Sequence, residues 1–224
     1  SHRMPEIFAI ADRVTVLRDG QHIATFPIGE VDQAKLVSMM VGRSIDQLFP
    51  KVTASLGKTV LEAKNVGYRN RVNNISLALR AGEILGIAGL VGSGRTELAL
   101  TLFGITPATE GQIFVNGQRE VIDTPRRARD LGIAYIPEDR GLQGLVKPQT
   151  IRENIAHSIL DRISRLAFVD RRKERSLADQ GIARFSIKAR GPEQVAGTLS
   201  GGNQQKVVLA KWLGTEPNIL IMDE

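Results

Sequence analysis

Three short stretches of this chain combine residue types that could handle phosphate and a divalent cation. The first is Gly89-Leu90-Val91-Gly92-Ser93-Gly94-Arg95-Thr96. It follows Glu83 to Ala88, an apolar run that reads as a short strand. It precedes a helical pattern from about Thr96 to Phe103, with Leu98 and Leu102 on one stripe. In that setting a GxxxxGK[ST] loop lets backbone N–H groups converge on phosphate oxygens, the helix adds its positive end, and the Thr96 hydroxyl can ligate Mg2+. Gly89, Gly92, Ser93, Gly94 and Thr96 fit the pattern, whereas Arg95 stands where the lysine belongs. A planar, permanently charged fork does not replace a slim ammonium, so nucleotide binding is expected to survive better than hydrolysis. The competing reading is a glycine-rich strand-to-helix turn with no ligand.

The second stretch, Ile219-Leu220-Ile221-Met222-Asp223-Glu224, is an apolar strand ending in two acids. An aspartate at the carboxyl end of a strand beside a phosphate loop can hold Mg2+, which places Asp223 with Thr96 as metal ligands. Glu224 is then placed to orient or deprotonate an attacking water. Many buried strands end in acidic caps, so this stretch gains weight only from the first. The third, Leu199-Ser200-Gly201-Gly202-Asn203-Gln204-Gln205-Lys206, sets a serine and two glycines at a helix start, a second anion-binding N-terminus or merely a good N-cap.

The elements that must position these stretches can be read from periodicity. Val60 to Val66 and Ile75 to Leu79 alternate like antiparallel strands, and Ala81-Gly82 turns the chain. Glu83 to Ala88, Leu131 to Ile136 and Ile219 to Met222 are short apolar runs suited to a parallel sheet covered on both faces. The expected fold is therefore α/β with a mostly parallel central sheet and an antiparallel annex. Thr150 to about Arg190 has helical spacing and reads as a helical insertion. Ahead of all this, Val14 to Leu17 and His22 to Phe26 read as strands around an Asp19-Gly20 turn, and Val31 to Val41 as an amphipathic helix. Phe49 to Lys58 lacks periodicity, as linkers do.

With 224 residues, 42% hydrophobic and 24% charged, the chain has the composition of an ordinary globular protein with room for one large domain or two small ones. No apolar run approaches the roughly 20 residues that cross a bilayer, and neither a membrane span nor a secretory leader is expected. The absence of cysteine removes disulfides, thiolate catalysis and cysteine metal sites. A formal net charge of +6 permits nucleic-acid binding, but aromatic residues are only 4%. The clusters Arg126, Arg127, Arg129 and Arg171, Arg172, Lys173, Arg175 carry no interleaved stacking rings and read as solvated helix faces. His22 and His157 have no metal-ligand partner at suitable spacing and read as structural or surface residues.

Taken in order, the three stretches resemble the motifs of the ATP-binding cassette (ABC) ATPases, P-loop proteins in which Gly89 to Thr96 looks like Walker A, Leu199 to Gln204 like the LSGGQ signature and Ile219 to Glu224 like Walker B. Residues 92 to 97 (Gly-Ser-Gly-Arg-Thr-Glu), 136 to 140 (Ile-Pro-Glu-Asp-Arg) and 199 to 206 are similar to the second cassette of the tandem subunit that energises bacterial monosaccharide importers of the ribose, xylose, arabinose and galactose type. Residues 1 to 48 resemble the end of a first cassette: Ser1 to Ile7 is similar to a switch-histidine segment, although Ser-His-Met sequences are also common tag scars, and Ala11 to Gly20 to the strand and turn after it. The domains implied are a first-cassette remnant over 1–48, a linker over 49–58 and a second cassette over 59–224 that stops at Walker B.

The resemblance implies ATP and Mg2+ as cofactors and composite sites, because the Walker residues of one cassette face the signature of the other. His2, Ser200, Gly201 and Gly202 would then serve one site, and Glu224 would orient or deprotonate water at the other, where Gly89, Gly92, Ser93, Gly94, Arg95 and Thr96 bind nucleotide. Glu138 occupies the place of the Q-loop glutamine. Tyr68 lies where an adenine-stacking aromatic would be, or simply packs at a strand end. Implied partners are another ABC cassette, an integral-membrane sugar permease touching Ile136 to Asn154, and, indirectly, a periplasmic or extracellular sugar-binding protein. The implied location is peripheral, on the cytoplasmic face of the bacterial membrane, with no nucleic acid expected. The rival reading is a soluble ABC ATPase acting on nucleic acid or ribosomes; by itself, the fragment would be a nucleotide-binding module without turnover.

Overall fold

A computed structural model of the chain describes residues 4–18, 20–42, 54–166 and 168–223. They fall into two compact units divided between Ser55 and Leu56. In the first, helix α1 (Met4–Ile10) precedes an antiparallel hairpin of β1 (Arg13–Arg18) and β2 (Gln21–Pro27), with Val14 opposite Phe26, and helix α2 (Gln33–Val41) follows. Gly20, at φ +76°, takes a left-handed turn conformation that glycine adopts without steric cost. Asp19, read as its partner in the turn, lies outside the described residues. The helix expected from Val31 starts two residues later because Asp32 caps it, its carboxylate accepting from the Lys35 N–H at 2.7 Å. Met4, Val16, Val31 and Leu36 are the buried residues that these elements close over.

The second unit opens on the long strands β3 (Thr59–Tyr68) and β4 (Val72–Arg80), then helix α3 (Arg95–Leu102), β5 (Glu110–Val115) and β6 (Gln118–Glu120). Helix α4 (Pro125–Asp130), strand β7 (Ile133–Ile136) and a π-helical turn over Arg140–Gly144 come next. The helical portion follows as α5 (Ile151–Ala156), α6 (Leu160–Ile163) and α7 (Arg171–Arg184), with the two-residue strands β8 (Ser164–Arg165) and β9 (Phe168–Val169) between the last two. Helix α8 (Gly201–Leu213) and strand β10 (Ile219–Met222) complete it.

The expectation of a mostly parallel central sheet is overturned. The largest sheet has four strands in the order β4-β3-β5-β6, antiparallel throughout, and the only parallel pair among the described residues is β7 with β10. Glu83 to Ala88 forms no strand; Ile84 is 99% exposed and Ile87 48%. An apolar run reports burial propensity but not whether a neighbouring strand is available. The hairpin of β3 and β4 closes over a three-residue loop, so its pairing is local and cheap in chain entropy, whereas a parallel neighbour requires a crossover.

The two larger buried clusters of this unit draw on most of its elements. Leu98, Leu102 and Phe103 of α3 and its C-cap pack with Leu61, Val66, Ile113, Ile133, Tyr135 and Ile219. Ile151, Ile155, Ala178, Val207 and Val208 bring α5, α7 and α8 together. Thr150 and Glu153 form a reciprocal capping box that fixes the start of α5. No described helix is long and apolar enough to cross a membrane.

Candidate nucleotide-binding site

The glycine-rich stretch is a solvent-exposed curl that ends where α3 begins. Ser93 N–H bonds back to the Leu90 carbonyl at 3.0 Å, and Gly92 (φ +81°) and Gly94 (φ +93°) take left-handed conformations that strain any residue with a Cβ. A Cβ on Gly94 would also sit 3.0 Å from the Arg71 carbonyl oxygen, in the loop between β3 and β4. Helix α3 thus presents its first-turn amides at the loop, with Arg95 as its first residue rather than Thr96. Leu98, Ala99 and Leu102 bury the opposite side of α3 and fix its direction.

Thr96 and Asp223, 127 residues apart, meet at this point. The Thr96 hydroxyl donates to Asp223 Oδ1 at 3.3 Å. Strand β10 delivers the carboxylate because Ile221 and Met222 pair in parallel with Tyr135 and Ile136, and the Asp223 N–H continues the ladder to the Ile136 carbonyl at 2.9 Å. Neighbouring oxygens in an octahedral Mg2+ shell lie about 3 Å apart, so this hydroxyl–carboxylate pair has the donor chemistry and nearly the span the ion requires. Among the described residues no cluster of three or more His, Asp or Glu side chains could hold a metal. A two-oxygen protein contribution suits Mg2+, which keeps waters and phosphate oxygens around it.

Tyr135 was not singled out from the sequence. Its hydroxyl donates to Asp223 Oδ2 at 3.1 Å, and burial, followed by the adjacent carboxylate, pushes its pKa well above the usual phenol range. The available signal was a tyrosine within the apolar run Ile133 to Ile136, since a buried phenol needs a hydrogen-bond partner. Glu138 is exposed, and its charge adds a smaller upward push to the Tyr135 pKa. Tyr68 ends β3 half-buried against the core, with the Arg69 guanidinium 5.3 Å from its ring centre.

The serine–glycine stretch starts α8, with Ser200 at the N-cap position, but its hydroxyl makes no capping bond. It accepts instead from Asn203 Nδ2 at 2.9 Å, so the merely structural N-cap reading loses its main support. The Arg140 guanidinium lies against Gly201, where a Cβ would approach its nitrogen to 2.6 Å. The Lys211 ammonium, its pKa lowered by burial, donates to the Gly144 carbonyl at 3.0 Å and ties the Arg140–Gly144 turn to α8. His2 and Glu224 lie outside the described residues. His157 follows α5, its pKa lowered by burial and then by Lys211. Four of the seven basic residues in these clusters pair with acids among the described residues: Arg127 with Glu120, Arg129 with Asp130 and Asp161, Arg171 with Glu174 and Arg175 with Asp179.

A family model described as ABC transporter matches residues 72–224. This chain belongs to the ABC transporter family. Among relatives of this ABC chain, a ribose import ATP-binding protein RbsA from Halalkalibacterium halodurans is 46% identical over all 224 residues, and one from Bacillus subtilis 44%. In both, the chain covers 45% of the relative, so it spans about half the length of the curated relatives it matches. Among solved structures, a nucleotide-free ATP-binding cassette from an ABC transporter is similar at a TM-score of 0.59 and 22% identity, covering 74% of this chain and 69% of that one. A dimeric bacterial ABC transporter cassette is similar at 0.60 and 23%, covering 73% of each. At these identities the two structures show a shared fold.

Proposed function

We propose that the chain is part of the ATP-hydrolysing subunit of a bacterial monosaccharide importer of the ribose type. One observation carries this reading above the others: 46% identity to a ribose import ATP-binding protein along every residue of the chain. The meeting of Thr96 and Asp223 beside an exposed glycine loop supports a nucleotide site in the same place. Mg2+, when bound there, would neutralise charge on the nucleotide phosphates. The amides of Gly89 to Gly94 and the N-terminus of α3 bind the phosphates, Thr96 and Asp223 hold the cation, and Glu224 orients the attacking water.

Residues 1–48 are the end of a first cassette and 59–224 most of a second, joined by 49–58. Supporting this, the relatives match all 224 residues, whereas the family model matches only 72–224. Each ATP site is composite: Ser200, Gly201 and Gly202 serve one, and Arg95, Thr96, Asp223 and Glu224 the other. The subunit sits on the cytoplasmic face of the membrane. Ile136 to Asn154 touches the permease, and the sugar-binding protein acts through that permease. The test is reconstitution of the full-length protein with its permease in proteoliposomes. Ribose uptake should depend on both ATP and the sugar-binding protein; ATP turnover indifferent to both membrane partners would overturn the importer reading.

Within this scheme the Ser200 site does most of the hydrolysis and the Arg95 site mainly binds nucleotide. Arg95→Lys in the full-length protein should leave ATP turnover within about twofold, because the altered group serves the minor site. Ser200→Ala should lower it roughly tenfold to a hundredfold, the worth of one hydrogen bond to a charged group. Equal effects of the two changes on phosphate release would refute the division.

A further inference from the structure

Both oxygens of the Asp223 carboxylate are held, each by a hydroxyl from a different element. Thr96 at the start of α3 engages Oδ1 at 3.3 Å, and Tyr135 on β7 engages Oδ2 at 3.1 Å. The two grips differ in character. Thr96 is only half-buried beside the glycine loop, whereas Tyr135 is 3% exposed and built into the core. Its ring packs on Phe103 with centroids 5.4 Å apart, and Phe103 in turn meets the edge of Trp212 at 5.3 Å. Register fixes the hydroxyl lengthwise, since Tyr135 pairs with Ile221, two residues before Asp223.

A carboxylate at a strand end turns about two side-chain bonds, and a bond to one oxygen leaves that rotation open. Fixing Oδ2 from inside the core leaves Oδ1 as the oxygen presented toward Thr96 and the loop. We propose that Tyr135 is a positioning residue for the Mg2+ ligand Asp223, acting through Oδ2 so that Oδ1 and the Thr96 hydroxyl face the cation together. The proposal rests on the reading of Asp223 and Thr96 as the Mg2+ pair. The opposing explanation is that Asp223 merely satisfies a buried phenol; in that case loss of the hydroxyl changes stability alone.

Tyr135→Phe in the full-length protein separates the two, because it keeps the ring against Phe103 and removes one oxygen. Two titrations are required on wild type and variant: a fluorescent ATP analogue in EDTA, and Mn2+ at saturating ATP followed by electron paramagnetic resonance. Outer-shell partners of metal ligands are worth about 10- to 100-fold in metal affinity. The variant should therefore need about tenfold more Mn2+ for half-saturation, with analogue binding in EDTA unchanged. Unchanged Mn2+ affinity, with or without a lower melting temperature, would overturn the positioning role. Failure of the wild type itself to bind the analogue in EDTA would instead remove the nucleotide site on which the role depends.

Discussion

Gly202→Asp in the full-length protein should reduce ATP turnover by a factor on the order of 10² to 10³ while leaving the fold intact or slightly more stable. Ser200 is the N-cap of α8, so Gly202 is its second helical residue, where first-turn amides point outward without an intrahelical acceptor. A Cβ built on Gly202 meets nothing within 4 Å, and its φ is not in the left-handed region, so an aspartate fits without moving a neighbour. A carboxylate there also complements the helix dipole, worth about 0.3 to 1 kcal/mol at an exposed site. Stability and function should thus move in opposite directions, which a folding defect cannot imitate. If these amides clamp a phosphate from the facing cassette, the carboxylate puts like charge against it and removes a transition-state contact. Phosphate release and calorimetric melting on the same preparation decide it; wild-type turnover would mean that this helix end faces no anion.

Local signals in the sequence were legible where a single segment carried them. The alternation in Val60 to Val66 and Ile75 to Leu79 became β3 and β4, and the stripe from Leu98 to Leu102 became the buried side of α3. The Asp223–Thr96 meeting was readable because strand-to-loop motifs specify which chain ends converge. What escaped depends on partners distant in sequence. Glu83 to Ala88 carries Ile84, Leu85 and Ile87 much as Ile219 to Met222 carries its apolar residues, yet only the latter lies in a ladder. Tyr135 is set by the register between β7 and β10, in which it pairs with Ile221, 86 residues further along the chain. The acid in the cluster Arg171 to Arg175 looked like part of a solvated face, and there composition misled most. Glu174 is 2% exposed and pairs with Arg152 from another helix.

That buried pair carries the other large effect: Arg152→Ala should destabilise the protein by about 3 to 5 kcal/mol. The Arg152 side chain is 13% exposed and spends its whole fork on acids. One nitrogen meets Glu174, while Nε and Nη2 donate to Glu193 at 2.8 and 3.1 Å. Without it, Glu174 keeps only Arg171, whose side chain is 70% exposed and so screened by water. The loss is chiefly that of a carboxylate left desolvated, not of two surface ion pairs. Glu174→Gln on the alanine background should therefore recover part of the stability, since a neutral amide costs less to bury than an unpaired charge. The consequence reaches the signature, because the backbone on either side of Arg152 is bonded to the chain leading into it. Ile151 and Arg152 N–H groups donate to Gln194 and Pro192, and those of Ala196 and Gly197 donate back to Gln149 and Lys147. Loosening Arg152 from Glu193 releases one side of that zipper two to seven residues ahead of Leu199 to Gly202, so the variant's ATP turnover should fall more steeply with temperature than the wild type's. Urea unfolding of the wild type, the single and the double variant measures the energetic part. A loss under about 1 kcal/mol, the worth of an exposed pair, would show that water reaches Glu174 in solution.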